Sequence, residues 1–199
     1  MSFRIEEKIP VSLSEGSQLI ESLKNKGLST LFPPRLIESC YFDTSRYDLY
    51  RDSEEGLLPR KKMRIRQYPQ SQKNQQLLES KISAIEGRFK TSKTLDEHSA
   101  MLIYNNGFFD AEYGVLHPKV TISYTREYYF YEGTRITMDT NITYQEFNQQ
   151  NNKAIEEMAV IELKAPANTS LDFLIMLVNE RRRRFSKYCN AIRMLNLSS

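Results

Sequence analysis

The chain has 199 residues, of which 40% are hydrophobic and 27% are charged, a composition typical of one large globular domain. Its formal net charge of +3 is too small to indicate nucleic-acid binding by bulk electrostatics. No apolar run reaches the length of about 18 residues that a membrane-spanning helix needs, and no basic and apolar leader begins the chain. We therefore expect a cytoplasmic protein without a transmembrane segment, with Cys40 and Cys189 as free thiols.

The pattern of apolar residues and turn signals predicts about eight strands, mostly antiparallel, and a few helices. In chain order, the predicted strands cover residues 3–11, 35–44, 61–68, 75–83, 88–93, 118–131, 134–143 and 156–165. Helices are predicted over residues 15–26, 94–105, 171–180 and 185–197. We expect Ser14 to cap the first helix, Pro33-Pro34 to break the chain, and residues 108–116 to be irregular.

The third predicted strand carries three cations at alternate positions. Lys62, Arg64 and Arg66 lie two residues apart, so in a strand they leave the same face. Met63 and Ile65 leave the other face, toward an apolar layer. Like charges in one row repel each other, so the row is tolerable only in open solvent or opposite dense negative charge.

Other predicted strands repeat this alternation of charged residues. The repeats are Arg4-x-Glu6-x-Lys8, Glu79-x-Lys81, Arg88-x-Lys90, Tyr124-x-Arg126, Arg135-x-Thr137-x-Asp139 and Glu162-x-Lys164. If the sheet stays open, the charged faces are solvated and carry cross-strand ion pairs. If it closes into a barrel, they line a tunnel. Such a tunnel would suit a polyanion with a bound divalent metal, because guanidinium groups match phosphate oxygens and carboxylates hold Mg²⁺ or Mn²⁺.

The order of these motifs resembles the catalytic domain of the vacuolar transporter chaperone (VTC) polyphosphate polymerases, in the CYTH-like superfamily of triphosphate tunnel metalloenzymes. The resemblance runs from Arg4 to Tyr188 and includes Tyr41-Phe42-Asp43-Thr44 and Phe185-Ser186-Lys187-Tyr188. It implies an α+β, mainly β fold, in which eight antiparallel strands form a closed barrel with flanking helices. We expect one domain over residues 1–199, with a helical segment from about residue 168, as a stand-alone bacterial-type version of the family.

The resemblance also implies roles for individual side chains, carried over position by position. The implied catalytic residues are Arg64, Arg66, Lys81, Arg126 and Arg135. The implied substrate-binding residues are Lys8, Lys90, Lys187, Lys164 and Arg4. Glu162 is the implied ligand of Mn²⁺ or Mg²⁺, and Glu6 and Glu79 are the next candidates.

The function that the resemblance implies is transfer of the γ-phosphate of ATP to a growing polyphosphate chain. The implied partners are ATP and polyphosphate or pyrophosphate, without nucleic acid; the sequence identifies no membrane-protein partner. One alternative is a tunnel triphosphatase, whose branch typically opens with Glu-x-Glu-x-Lys, whereas Arg4 holds the first position here. The other is a polyphosphate- or nucleotide-binding module without turnover.

Overall fold

A computed structural model of the chain describes residues 4–71, 75–170, 172–173, 177 and 185–198. Antiparallel strands make up most of its regular structure, and helices make up the rest, so the fold class is α+β. The helix predicted over residues 171–180 lies largely outside the described residues.

The described residues form ten strands and four helices. The strands are β1 Arg4–Val11, β2 Ser29–Asp43, β3 Arg60–Gln67, β4 Gln76–Ala84, β5 Gly87–Leu95, β6 Phe108–Asp110, β7 Gly114–Tyr131, β8 Thr134–Glu146, β9 Lys153–Ile155 and β10 Ala159–Pro166. The helices are α1 Leu13–Lys24, α2 Asp48–Glu55, α3 Glu97–Asn106 and α4 Lys187–Met194.

Eight of the strands hydrogen-bond in the order β1-β10-β8-β7-β2-β3-β4-β5. These eight correspond to the eight strands predicted from the sequence. The two additional strands are short: β6 pairs with β7, and β9 pairs with β8. The order ends at β1 and β5, and no pairing joins these two strands within the described ranges. The mainly antiparallel sheet is therefore confirmed, whereas its closure into a barrel stays a prediction.

The chain divides into two compact units. The first unit comprises Met1–Arg35, Tyr124–Ile142 and Glu156–Phe185. The second unit comprises Leu36–Ser123, Thr143–Ile155 and Ser186–Ser199. Strands β2, β7 and β8 contribute residues to both units.

The core of the first unit is built from one face of its strands. Ile9, Ile136 and Ile161 are buried there, in the same cluster as residues of α1. Helix α1 begins with a capping box, in which the Ser12 hydroxyl accepts from the Glu15 backbone and the Glu15 carboxylate accepts from the Ser12 backbone. This reciprocal pair satisfies backbone N–H groups that the first turn of a helix leaves without partners.

The core of the second unit lies under the apolar face of β3. Phe42, Met63 and Ile65 are buried there with Leu49 of α2 and Ala100 of α3. Helix α3 begins after Asp96, whose side chain accepts a hydrogen bond from the backbone of Ser99. The predicted alternation of β3 is therefore confirmed, because both apolar residues of the strand enter this core.

Three local predictions were wrong. Pro33-Pro34 lies inside β2 rather than before it; residues 29–35 of this strand are exposed, and such positions tolerate residues that lack a backbone donor. The cap of α1 is Ser12 rather than Ser14, since only Ser12 completes the exchange with Glu15. Residues 108–116, expected to be irregular, contain β6 and the beginning of β7.

Cys40 and Cys189 are free and buried, as predicted, and burial raises the pKa of both thiols. Among the helices that the structure describes, none is both long enough and apolar enough to cross a membrane.

Replacing Leu163 by Ala should lower the free energy of unfolding by about 2–5 kcal/mol, because it removes a buried side chain and leaves a cavity. Leu163 is 1% exposed, in the core of the first unit. Urea unfolding of the wild type and the variant measures the difference. The matched control is Leu13→Ala, which removes the same atoms from a side chain that is 54% exposed. Equal losses in the two variants would contradict the described burial of β10.

Candidate functional site

A group of cations crosses three neighbouring strands of the second unit. Antiparallel pairing places β4 beside β3, and β5 beside β4, so that alternate side chains of the three strands share one face. On β3 this face is opposite to Met63 and Ile65, which are buried. We call the group the β3–β5 cluster: Lys62, Arg64, Arg66, Lys81 and Lys90.

One buried carboxylate, Glu79, lies among these cations. It is 2% exposed and directly opposite Arg64 in the pairing of β3 with β4. Arg64 donates to Glu79 Oε2 from Nε at 2.8 Å and from Nη2 at 2.5 Å. Arg66 Nε lies 3.9 Å from the same oxygen, and Lys90 forms a salt bridge with Oε1. Glu79 therefore partly neutralises the cation row.

The electrostatic balance at Glu79 favours the ionised carboxylate. Burial by itself raises the pKa of Glu79, but the charges of Arg64 and Arg66 and the hydrogen bond from Lys90 outweigh it and lower this pKa to about 2. Glu79 thus stays charged throughout the physiological pH range.

The C-terminal helix α4 begins beside this cluster. Lys62 Nζ donates to the hydroxyl of Ser186, the N-cap of α4, at 2.9 Å. Lys187, a predicted substrate-binding residue, is the next residue of the chain and the first of α4. The structure therefore brings the beginning of α4 to the cation row.

Aromatic contacts connect the same helix to Arg64. The rings of Tyr188 and Tyr41 are stacked, with centroids 5.1 Å apart. Tyr41 accepts a hydrogen bond from Arg64 Nη1 at 2.8 Å, and Tyr188 donates one to the fully buried Asp43. Asp43 also accepts from three backbone N–H groups, including that of Leu49 in α2. These contacts orient Arg64 and anchor the beginning of α4.

A second charged group lies in the first unit, on the face of β1, β10 and β8 that is opposite to the core. The strand register places Glu6 beside Lys164, Lys8 beside Glu162, and Arg135 beside Lys164. We call this group the β1–β8 cluster: Glu6, Lys8, Arg126, Arg135, Thr137, Asp139, Glu162 and Lys164. Seven of its members come from the three paired strands, and Arg126 comes from β7.

Arg126 is the cation between two carboxylates of this cluster. Its Nη2 donates to Asp139 Oδ2 at 2.7 Å and lies 3.2 Å from Glu162 Oε2. Burial lowers the pKa of Arg126, but Tyr124 and the carboxylates of Asp139 and Glu162 outweigh this effect and raise the pKa well above its ordinary value. Lys164 Nζ lies 3.4 Å from Glu162 and 3.3 Å from Glu6, so the carboxylates and cations alternate.

Two buried polar atoms of the β1–β8 cluster lack hydrogen-bond partners among the described residues: Arg135 Nε and Thr137 Oγ1. Thr137 lies directly opposite Glu162 in the pairing of β8 with β10. A buried donor without a partner costs free energy, so such an atom needs an explanation. A ligand that offers acceptor oxygens would satisfy both groups.

The described part of the chain contains no group of three or more His, Cys, Asp or Glu side chains placed to hold a metal ion. A divalent cation that also binds phosphate oxygens needs only one or two carboxylates from the protein, however. Glu162 and Asp139 would supply two carboxylates close to each other, since both contact the guanidinium of Arg126. Glu79 fits this requirement poorly, because Arg64, Arg66 and Lys90 surround its carboxylate.

The predicted site residues thus belong to two groups. One group, around Glu79, contains Arg64, Arg66, Lys81 and Lys90. The backbone of Lys187 lies near this group, because Lys187 is the first residue of α4. The β1–β8 cluster holds the other predicted residues, except that the side chain of Arg4 lies outside the described part of the chain. Sequence reasoning assigned no site role to Lys62, Asp139, Tyr41, Asp43 or Tyr188. All five occur in the motifs of the sequence, but their partners are set by strand pairing and helix docking, which a local pattern does not specify.

Comparisons with known proteins agree with this arrangement of strands. A family model described as VTC domain matches residues 3–196. Two similar solved structures carry the description "putative adenylate cyclase". The one from Bacillus halodurans is 18% identical, with a TM-score of 0.65 and 96% of each chain covered. The one from Vibrio parahaemolyticus is 14% identical, with a TM-score of 0.57, and covers 96% of this chain and 98% of its own.

A conserved hypothetical protein from Pyrococcus furiosus is also similar, at 14% identity and a TM-score of 0.52, with 98% of this chain and 91% of the other covered. At such low identities the likeness to solved structures concerns the fold alone. A comparison with curated proteins found no match.

Replacing Glu79 by Gln should remove a large part of the acid sensitivity of stability. The folded pKa of about 2 lies below the ordinary value of 4.5, so Glu79 contributes stability above pH 4.5 that is lost as the pH falls toward 2. This difference in pKa corresponds to roughly 3 kcal/mol. Urea unfolding at neutral pH and between these two pH values measures the effect.

The matched control is Glu86→Gln, which neutralises an exposed carboxylate in the turn between β4 and β5. This variant should retain the acid sensitivity of the wild type. If Glu79→Gln lost stability on acidification as steeply as Glu86→Gln, the low pKa of Glu79 would be refuted.

Proposed function

Because the chain belongs to the VTC domain family, we propose that it is a polyphosphate polymerase that transfers the γ-phosphate of ATP to a growing phosphate chain. The observation that carries this proposal is the charge of the β3–β5 cluster. The cluster contains five cationic side chains and one carboxylate, Glu79, so its formal charge is +4. A polyanion is the ligand that such an excess attracts.

In the β3–β5 cluster, we propose that Arg64 and Arg66 bind phosphate oxygens through their guanidinium groups. Glu79 and Tyr41 hold Arg64, and Ser39 accepts a hydrogen bond from Arg66 Nε at 3.3 Å. These contacts fix the two guanidinium groups before substrate arrives, which reduces the entropy lost on binding. Lys81 and Lys90 act as point charges that neutralise further phosphates.

In the β1–β8 cluster, we propose that the unpaired Nε of Arg135 and hydroxyl of Thr137 bind oxygens of the substrate phosphates. Lys8 supplies another positive charge on the same face. Arg126 and Lys164 keep Glu162 in place from two sides. The proposed catalytic contribution of these residues is positioning and charge neutralisation, so no side chain acts as a nucleophile.

A divalent metal, Mn²⁺ or Mg²⁺, would be held by Glu162 with Asp139 and by phosphate oxygens. When bound, it would neutralise negative charge on the transferred phosphoryl group. In the proposed reaction a terminal phosphate oxygen of polyphosphate or pyrophosphate attacks the γ-phosphorus of ATP. The bond from this phosphorus to the β–γ bridging oxygen breaks, and ADP leaves.

The proposal carries further expectations from the family. They are a sheet that closes into a tunnel, one domain over residues 1–199, Arg4 and Lys187 as additional substrate contacts, and a cytoplasmic location. An experimental structure with tripolyphosphate bound would test the tunnel, the single domain and the substrate contacts. If the edge of β5 were open in that structure, the tunnel would be contradicted.

The experiment that tests the proposed reaction incubates the pure protein with ATP and Mn²⁺ and resolves the products on a polyacrylamide gel. We expect long polyphosphate chains, and we expect none from Arg64→Ala, which removes a guanidinium of the β3–β5 cluster. Free phosphate without chains would instead identify a triphosphatase. Binding of tripolyphosphate without any turnover would identify a binding module.

Replacing Glu162 by Gln should remove metal-dependent turnover and leave tripolyphosphate binding largely intact. The amide keeps the shape of the side chain but removes the charge that a divalent metal requires. Turnover as a function of Mn²⁺ concentration, together with calorimetric titration of Mn²⁺ with and without a non-hydrolysable ATP analogue, measures the effect.

The matched control is Glu127→Gln. Glu127 follows Arg126 in β7, and its carboxylate accepts a hydrogen bond from the Tyr129 hydroxyl. Tyr129 belongs to the core of the first unit, so this carboxylate lies on the other side of the strand from Arg126. The control should retain turnover. Unchanged Mn²⁺ dependence in Glu162→Gln would place the metal elsewhere.

A further inference from the structure

An arginine with two aromatic neighbours lies in the first unit, outside both clusters. The guanidinium carbon of Arg35 is 5.1 Å from the ring centroid of Phe32 and 5.6 Å from that of Tyr128. The two rings contact each other edge to face, with centroids 5.8 Å apart. Both distances to Arg35 lie within the range of attractive cation–π contacts. The aromatic rings therefore restrict where this guanidinium can lie.

The backbone restricts the same group. Pro33-Pro34 separates Phe32 from Arg35, and proline fixes one backbone dihedral angle at each of these positions. Ser29 of β2 donates from its hydroxyl to the carbonyl of Phe130 in β7, which ties the beginning of β2 to the end of β7. Arg35 is thus presented by a stiff segment rather than by a loose loop.

The polar edge of Arg35 is available to a ligand. Arg35 is exposed, and Phe32 is 47% exposed. None of the described residues forms a hydrogen bond or an ion pair with Arg35, whose contacts are the two aromatic rings. An arginine carries five N–H donors in a planar arrangement, and the rings cover its faces rather than its donors. These donors can bind an oxyanion without first breaking a salt bridge.

The position of Tyr128 connects Arg35 to the β1–β8 cluster. Tyr129 and Tyr131 of β7 pack against the core of the first unit, so Arg126 and Tyr128 lie on the opposite face of this strand. Arg126 contacts Asp139 and Glu162 on that face. Alternate residues of a strand are about 7 Å apart. Tyr128 is therefore the next residue after Arg126 on this face of β7, toward the end of the strand. The Arg35 site thus adjoins the β1–β8 cluster.

We propose that Arg35, Phe32 and Tyr128 form a second anion site, which binds a phosphate unit of a polyphosphate chain that extends beyond the β1–β8 cluster. This inference rests on the proposed function, since it takes polyphosphate as the ligand of the cluster. A short phosphate ligand can occupy the cluster without reaching Arg35. A long chain can contact both, so the Arg35 site selects for chain length.

Calorimetric titration of the full chain with tripolyphosphate and with long-chain polyphosphate tests the site. For Arg35→Ala we expect affinity for the long chain to fall by roughly three- to tenfold, the range of one exposed charge-assisted contact, with tripolyphosphate affinity unchanged. Arg35→Lys should lose part of the affinity, because an ammonium keeps the charge but not the planar donors. Phe32→Leu should resemble Arg35→Lys, because it removes one of the two rings.

Lys26→Ala is the matched control, because it removes one exposed positive charge from the same unit without an aromatic neighbour. An equal loss in Arg35→Ala and Lys26→Ala would overturn the site, since the effect would then be general electrostatics. A loss for tripolyphosphate as large as that for long chains would also overturn it. Equal weakening of poly-glutamate binding by Arg35→Ala would overturn the preference for phosphate.

The same titrations separate this inference from the proposed reaction. If the wild type binds long chains more tightly than tripolyphosphate but produces no polyphosphate from ATP, the proposed reaction is refuted. The effect of Arg35→Ala on long-chain affinity can still be measured in that case. If the wild type makes polyphosphate and Arg35→Ala binds long chains normally, the site fails and the reaction stands.

Discussion

The β3–β5 cluster depends on one buried interaction, the contact of Glu79 with its cationic neighbours. Without a carboxylate at that position, Arg64 and Arg66 would repel each other across a sheet face that excludes most solvent. Glu79 is 2% exposed, so its charge is little screened, and its attraction for the cations opposes this repulsion. Because Tyr41 also holds Arg64 and stacks on Tyr188, the orientation of the cation row is linked to the anchoring of α4.

In the β1–β8 cluster, the central charge is a cation rather than a carboxylate. A single cation, Arg126, lies between the carboxylates of Asp139 and Glu162. In both clusters buried charges lie beside charges of the opposite sign, whose attraction offsets part of the desolvation penalty of burial. The clusters also leave positive charge and unpaired donors such as Arg135 Nε, which a phosphate ligand can satisfy. Few carboxylates remain for a metal, which agrees with a metal ion that binds together with the substrate phosphates.

Much of this arrangement could be predicted from the sequence, because the alternation of side chains along a strand is a local property. The row Lys62, Arg64 and Arg66 was assigned to one face of β3, and the structure confirms it. The same reasoning placed Glu162 and Lys164 together, and their side chains form a salt bridge at 3.4 Å. It also identified eight strands of the sheet, and the family resemblance put the motifs in order. The metal, the reaction and the closure of the sheet stay predictions.

The alternation of residue types and the turn signals of the sequence were enough to predict the class of fold and the faces of the strands. Which charges meet depends on the folded chain, because strand register and helix docking join residues that are distant in the sequence. Tyr188 donates to Asp43 across 145 positions, and Arg35 meets Tyr128 of a different strand. Pairing also made Glu79 the partner of three cations, Arg64, Arg66 and Lys90. Local pattern specifies the direction of a side chain, whereas its partner depends on which strand lies beside it.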